Sequence, residues 1–216
     1  MIPQFKLYLF DVDGTLLDSA SDICGAARDA LAEHGVTGLS EEYLRSFIGY
    51  HLFELFDEVL PSYDRAQKEQ LLARYRQIYL ARQHSSTRVY PGVEEMLASL
   101  PGLKSTATTK SSETARGVLT LFNLISHFDH VQGTDGFPSK PNPDVVLRSL
   151  DHFGVAAEDA LLIGDAAPDM EAGRRAGVKT CAVTWGYGNS DHMREHAPDY
   201  WIDHPMALLN GAYAKS

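Results

Sequence analysis

The chain has 216 residues, 44% hydrophobic and 22% charged, with a formal charge of −10; that length suits one large domain or a domain carrying a smaller one, and the acidic balance without a basic run excludes a nucleic-acid binder that works by phosphate neutralisation. No apolar run approaches the roughly 18–20 residues of a membrane span, and Met1-Ile2-Pro3-Gln4 shows neither a basic region nor a cleavage site, so no signal peptide is expected. Cys24 and Cys181 lie far apart and form no metal or disulfide framework, which makes a reducing cytoplasm the expected compartment.

The first element is the apolar run Phe5-Lys6-Leu7-Tyr8-Leu9-Phe10, a strand, followed at once by Asp11-Val12-Asp13-Gly14-Thr15-Leu16. Residues two apart on a strand share a face. If the strand persists through Asp13, Asp11 and Asp13 face the same way at its C-terminal end. Two like charges about 4 Å apart repel by on the order of 4 kcal/mol at an intermediate dielectric. Such a pair calls for a cation, a shared proton or both; two acids in a solvated strand-to-helix loop are the alternative.

The period then changes to that of helices. Ile23, Ala26, Ala27, Ala30 and Leu31 form one apolar stripe ending at Gly35. Ser40-Glu41-Glu42 starts a second helix, with Leu44, Phe47 and Ile48 inward and Gly49 at its end. Leu52, Leu55, Phe56, Val59 and Leu60 mark a third, closed by Pro61, and Leu71, Leu72, Tyr75, Ile78 and Tyr79 a fourth. After the polar link His84-Ser85-Ser86-Thr87, Pro91-Gly92 opens a short helix through Met96, Leu97 and Leu100. From there strands and helices alternate: a strand over 104–109, a helix with Ala115, Val118, Leu119 and Phe122, and a short strand over 127–132. Asn142-Pro143 supplies a cap and a first-turn proline for a helix bearing Val146, Leu147, Leu150 and Phe153, which stops at Gly154. Leu161-Leu162-Ile163 is a buried strand, followed by a helix to about Gly177, a strand over 179–185 and a last one at Tyr200-Trp201-Ile202.

That alternation predicts an α/β fold, a Rossmann-like parallel sheet with helices on both faces. The opening strand must belong to it, so an all-helical block interrupts the sheet domain after its first strand. The expected division is 1–16 with 85–216 as the α/β core and 17–84 as an inserted helical cap domain.

Ligands of open parallel sheets gather at the C-terminal ends of the strands. Asp11 and Asp13 follow the first strand, Thr108, Thr109 and Lys110 the second, Lys140-Pro141-Asn142-Pro143-Asp144 the third, and Gly164-Asp165-Ala166-Ala167-Pro168-Asp169 the fourth. Carboxylates, hydroxyls and a lysine on one edge suit a divalent cation of the Mg²⁺ type and a phosphate. Four motifs in order, Asp11-Val12-Asp13-Gly14-Thr15-Leu16, Thr108, Lys140-Pro141-Asn142-Pro143-Asp144 and Gly164-Asp165 with Asp169, together with the helical insert, resemble the haloacid dehalogenase superfamily over essentially the whole chain.

The resemblance implies Asp11 as nucleophile forming an aspartyl-phosphate. It implies Asp13 as the acid and base, with its backbone carbonyl on the metal. Asp165 is the further metal carboxylate, with Asp169 behind it orienting metal waters or Lys140. Thr108, Thr109 and nearby N–H groups hold phosphate oxygens, and Lys140 offsets charge on Asp11 and on the transferring phosphoryl group. Mg²⁺ is the implied cofactor and a small phosphorylated metabolite the implied partner, with no nucleic acid or membrane and a monomer or homodimer as assembly. Thr109 stands where relatives often have Asn, and Ala166 where Ser or Thr is frequent; the second change removes a hydroxyl from the loop holding Asp165.

In the family the segment around Gly49 reads the leaving group; here it offers Arg45, Gly49, Tyr50 and His51. Arg45 as a surface ion pair and Tyr50 as a packing residue are the alternatives. Asp13 argues against a dehalogenase, and the lack of a lysine near Gly49 argues against a phosphonatase. The expected activity resembles that of phosphoglycolate phosphatases, with a sugar-phosphate mutase, a pyrophosphatase or a nucleotidase as alternatives on the same core. Asp144 is expected to serve its helix N-terminus, His192 and His196 a solvated helix face, and Gly186-Tyr187-Gly188 and Gly133-Thr134-Asp135-Gly136 turns.

Overall fold

Leu7, Tyr8, Leu9 and Phe10 form β1 (Leu7–Phe10), and all four are buried. Alternation sends Leu7 and Leu9 to one side of the sheet and Tyr8 and Phe10 to the other, where they join separate apolar clusters. A strand apolar on both faces belongs in the middle of a covered parallel sheet. The computed structural model describes residues 2–211 and puts it there.

After β1 comes the two-residue β2 (Leu17–Asp18), which pairs antiparallel with β3 (Arg88–Val89). This ribbon carries the chain into and out of four helices: α1 (Ala20–Ala32), α2 (Glu41–Arg45), α3 (Leu52–Val59) and α4 (Arg65–Ala81). They share a separate core around Ala27, Leu31, Leu44, Phe56, Leu71 and Tyr75. Ser40 caps α2 by accepting from the Tyr43 N–H, and Asp64 with Gln67 forms a reciprocal capping box on α4. The ribbon was not legible beforehand, since two residues a side are too few for a period.

The remaining elements are α5 (Val93–Ser99), β4 (Leu103–Thr106), α6 (Ser112–Leu121), α7 (Asp144–Phe153), β5 (Ala160–Gly164), α8 (Ala167–Ala176), β6 (Lys179–Val183), α9 (Ser190–Glu195) and β7 (Tyr200–Ile202). The sheet order is β4-β1-β5-β6-β7, parallel throughout. Val93, Met96 and Leu97 of α5 and Val118 and Leu119 of α6 cover one face. Val145, Val146 and Leu150 of α7 and Ala172 and Ala176 of α8 cover the other. The expected core with an inserted helical block is therefore present. No helix of the described residues is long and apolar enough to cross a membrane.

Four local expectations are corrected. β1 stops at Phe10, because Gly14 at φ +86° turns the chain and the N–H groups of Leu16 and Leu17 both bond back to the Val12 carbonyl. No strand forms over 127–132; Ile125–His127 is a 3₁₀ turn and His130 makes a single bridge to Ser105. The Asp129 carboxylate takes the Lys104 N–H at 2.9 Å, the donor a further ladder would have used. Asn142 does not cap α7: its side-chain amide donates to the Ser139 carbonyl, and Pro143 stands in the cap position. Finally, α2 ends at Arg45, with turns rather than helix running through Gly49.

Candidate active site

Counted within the sheet the strands run 2-1-3-4-5, so growth reverses at β1 and the crevice opens at the C-terminal ends of β1 and its neighbour β5. Asp11 follows β1 and Asp165 follows β5. The ladder continues one step past β1, with the Asp11 N–H on the Ile163 carbonyl at 2.9 Å, which holds Asp11 level with the end of β5. On the other side Ala107 N–H bonds the Phe10 carbonyl at 2.8 Å, so the buried Thr108 follows directly beside Asp11.

Lys140 is drawn in from the loop before α7 and is 2% exposed. Its Nζ donates to Asp11 Oδ1 at 2.8 Å and to Asp169 Oδ1 at 2.5 Å. Asp169 Oδ2 accepts from the Ala166 N–H at 3.1 Å, so both its oxygens are engaged within the protein. Asp165 accepts from the Thr15 hydroxyl at 3.1 Å and from the Tyr187 N–H at 2.8 Å. Among the described residues Asp11 Oδ2 accepts no hydrogen bond from the protein.

Asp11, Asp165 and Asp169 bring ligand oxygens within 4.8 Å of one another, all buried. One lysine against three carboxylates leaves the group short of positive charge. Burial, and then the neighbouring Asp11 and Asp169, push Asp165 up to about 8. Burial likewise raises Asp11 to about 7 against the opposing pull of Lys140. For Lys140 burial opposes the charge, but Asp11 and Asp169 outweigh it and the ammonium is held above its ordinary value. Hard carboxylate oxygens with an uncompensated negative charge are the donor set that Mg²⁺ takes. The residues fit that ion, with Asp11 and Asp165 the carboxylates available and Asp169 committed to Lys140 and Ala166.

Asp13 has partners of its own. Its Oδ1 accepts from the Ser19 hydroxyl at 2.5 Å and its Oδ2 lies 2.8 Å from Lys110 Nζ. Lys110, whose side chain is 10% exposed, also donates to the Tyr79 hydroxyl on α4 at 3.1 Å. Burial works against this ammonium, yet Asp13, Tyr79 and Tyr75 raise it well above its usual value. Lys110 was visible as a charge after the second strand, but no spacing ties position 110 to position 13.

Tyr187 was also missed. The loop expected to be a mere turn presses Gly186 and Gly188 so close to Asp165 that a Cβ on either would overlap it, as would one on Gly14. The Tyr187 hydroxyl accepts from the Ser19 N–H at 2.5 Å and the Ala20 N–H at 3.0 Å, and donates to Asp18 at 2.8 Å. One residue thus ties the Asp165 loop to the start of α1. A Gly-Tyr-Gly string carries a weak signal for this, because its glycines are read only against the neighbour they make room for.

Comparison with known sequences adds the family. The family of haloacid dehalogenase-like hydrolases matches residues 8–183. The chain belongs to that family. It is a phosphoric monoester hydrolase, as the resemblance implied. A phosphoglycolate phosphatase of Aquifex aeolicus is 34% identical over 208 residues, which cover 94% of this chain and 95% of the relative. A 5'-nucleotidase of Pseudomonas aeruginosa is 32% identical over 209 residues, covering 95% and 94%. Among solved structures, a haloacid dehalogenase-like hydrolase of Streptococcus pneumoniae superimposes with a TM-score of 0.86 at 28% identity, over 95% of this chain and 97% of that one.

In this hydrolase a cavity of about 100 Å³ lies between the helical block and the crevice. Asp13, Thr109 and Lys110 form its core wall, while Gly49, Tyr50 and His51 line it from the helical side. Gly49, at φ +98°, brings its backbone against Ala166: a Cβ there would lie 2.8 Å from the Ala166 methyl. Arg45 is not brought to this cavity. It pairs with Glu41 at 3.1 Å and lies 5.5 Å from the centre of the Tyr187 ring. Asp144 begins α7, His192 lies on α9, and His196 follows its end 4.0 Å from Glu171.

Proposed function

We propose that this protein hydrolyses small phosphomonoesters with short leaving groups, 2-phosphoglycolate among them, through an aspartyl-phosphate on Asp11. The observation that carries this reading is the unequal treatment of the Asp11 oxygens. Lys140 holds Oδ1 at 2.8 Å, while Oδ2 accepts nothing from the described residues. A nucleophile needs that combination: an orientation fixed through one atom and a lone pair kept open on the other.

In the proposed reaction Asp11 Oδ2 bonds to phosphorus, the bond from phosphorus to the ester oxygen breaks, and Asp13 gives a proton to the departing alkoxide. A water then attacks the same phosphorus, its proton passes to Asp13, and Asp11 leaves as a carboxylate with inorganic phosphate released. Lys140 offsets the charge of Asp11 and of the phosphoryl oxygens, and Thr108 with Thr109 and adjoining N–H groups holds those oxygens. Mg²⁺, held by Asp11, Asp165 and the Asp13 carbonyl, would supply further positive charge to the phosphoryl group. Residues 17–84 act as the cap over a core of 1–16 and 85–216.

The relatives named above support this and differ on the leaving group. The leaving group would enter the cavity beside Asp13, Thr109 and Lys110. The test is phosphate release from 2-phosphoglycolate, ethyl phosphate, a 5'-nucleotide and pyrophosphate, with Mg²⁺ and with EDTA. Metal-dependent release from the small esters is expected. Release from none of them overturns the reading.

A further inference from the structure

The chain carries a net charge of −10, yet the cavity beside Asp13 has the opposite sign. The charged side chains on its wall are Asp13, Lys110 and Arg76, one carboxylate against two cations. Lys110 is engaged by Asp13 and Tyr79. Arg76 is different: among the described residues it makes no hydrogen bond and no ion pair, although the surface holds abundant carboxylates. Arg65, its neighbour eleven residues back on α4, pairs with Glu69, and Arg74 pairs with Glu33.

The placement of Arg76 follows from the helix period. Leu72, Tyr75, Arg76 and Tyr79 recur at the spacing of one helical face, and all four line the cavity. Tyr75 and Tyr79 stack with ring centres 5.8 Å apart, and both are buried, whereas Arg76 on the same face is exposed. Across from it, His51 Nδ1 accepts the Phe53 N–H at 3.2 Å, which leaves Nε2 as the ring's donor. Burial and then Arg76 lower the His51 pKa, which keeps that ring neutral. The cavity therefore offers an unpaired, solvent-exposed guanidinium and an imidazole N–H, with Asp13 as its sole carboxylate among the described residues.

We infer that Arg76 is a specificity residue that binds a second anionic group, a carboxylate or a second phosphate, on the leaving-group side of the substrate. This rests on the phosphatase reading above and names which esters that site prefers. A charged partner a few bonds from the scissile phosphate would satisfy the guanidinium and explain why no protein carboxylate occupies it. An uncharged leaving group of the same size would forgo that charge-assisted hydrogen bond.

The experiment compares kcat/KM for 2-phosphoglycolate and ethyl phosphate, which differ by a carboxylate against a methyl group, with pyrophosphate as the phosphate-bearing arm. The native protein is expected to prefer the charged substrates. In Arg76→Gln the ratio of charged to uncharged kcat/KM should fall roughly 10- to 100-fold, the worth of one charge-assisted hydrogen bond, and Arg76→Lys should recover part of it. Loss confined to 2-phosphoglycolate identifies a carboxylate site, and loss confined to pyrophosphate a second phosphate site. An equal fall for all three substrates, or a ratio that does not move, overturns the inference while leaving the phosphatase reading intact. A native protein that hydrolyses none of the three overturns both.

Discussion

Lys110 Nζ stands 2.8 Å from Asp13 Oδ2 and 3.1 Å from the Tyr79 hydroxyl, so a single buried ammonium touches the sheet core and the helical block together. With Ser19 on the other oxygen, Asp13 is fixed from both sides at the wall of the cavity. Lys110→Met removes one of these two holds. Its kcat on 2-phosphoglycolate should fall by roughly 10- to 100-fold, a part of what general acid–base catalysis contributes, with a much smaller change in KM. Breaking the buried pair should also lower stability by on the order of 3 kcal/mol. Steady-state kinetics and a urea titration read the two effects separately, and an unchanged kcat would show that Ser19 alone positions Asp13.

Asp11 and Asp13 should fail differently when neutralised. Asp11→Asn loses the nucleophile, and its turnover should drop to background. Asp13→Asn keeps the nucleophile but lacks the group that activates water. With p-nitrophenyl phosphate, whose leaving group needs no proton, it should accumulate one covalently bound phosphoryl group. Intact-protein mass spectrometry after acid quench is the readout, and Asp11→Asn should show no adduct.

Charge in the Asp11–Asp165–Asp169 group links stability to pH. Asp165 at about 8 and Asp11 at about 7 stand above the unfolded carboxylate value of 3.8. Between those limits the folded state binds more protons than the unfolded one, so stability falls as pH rises. His51, His84 and His130 are all lowered on folding and act in the opposite sense, but only below about 6.5. In EDTA the protein should therefore lose on the order of 1–2 kcal/mol between about pH 6.5 and pH 8. Added Mg²⁺ should remove most of that slope. Thermal melts across the window with and without the ion provide the check.

Gly14 has φ +86°, and a Cβ there would overlap the Asp165 carboxylate. Gly14→Ala should displace Asp165 and raise the Mg²⁺ concentration for half-maximal activity by roughly 10- to 100-fold, the usual scale for disturbing the support of a metal ligand. A titration of activity against Mg²⁺ measures it.

Tyr187→Phe tests the tie between the Asp165 loop and α1. It leaves the Ser19 and Ala20 N–H groups without the acceptor they now share. The expected cost is about 1–3 kcal/mol, read from chemical denaturation, with kcat reduced because Ser19 also holds Asp13.

How much of this was legible depended on how local the cause was. The four helices of the insert, the buried strands Leu7–Phe10 and Ala160–Gly164, and the glycine stops after α7 and α8 are set by period and by left-handed caps, both written in adjacent residues. The strand expected over 127–132 failed for a reason no window contains: Asp129 satisfies Lys104, twenty-five residues earlier. The shared face of Asp11 and Asp13 required the strand to run on through Asp13; β1 ends at Phe10, and Asp11 pairs with Lys140 while Asp13 pairs with Lys110.

The amino-acid sequence by itself determined that a parallel α/β sheet would gather Asp11, Thr108, Lys140 and Asp165 at one edge, since strand ends and the topology rule place them there without reference to any particular contact. The tertiary structure alone decided which partner each charge received. Asp169 went to Lys140, Asp13 to Lys110, Arg45 to Glu41, and Arg76 was left facing the cavity. Such pairings fall off within a few ångströms and join residues up to about 100 positions apart, so chain order carries almost no information about them.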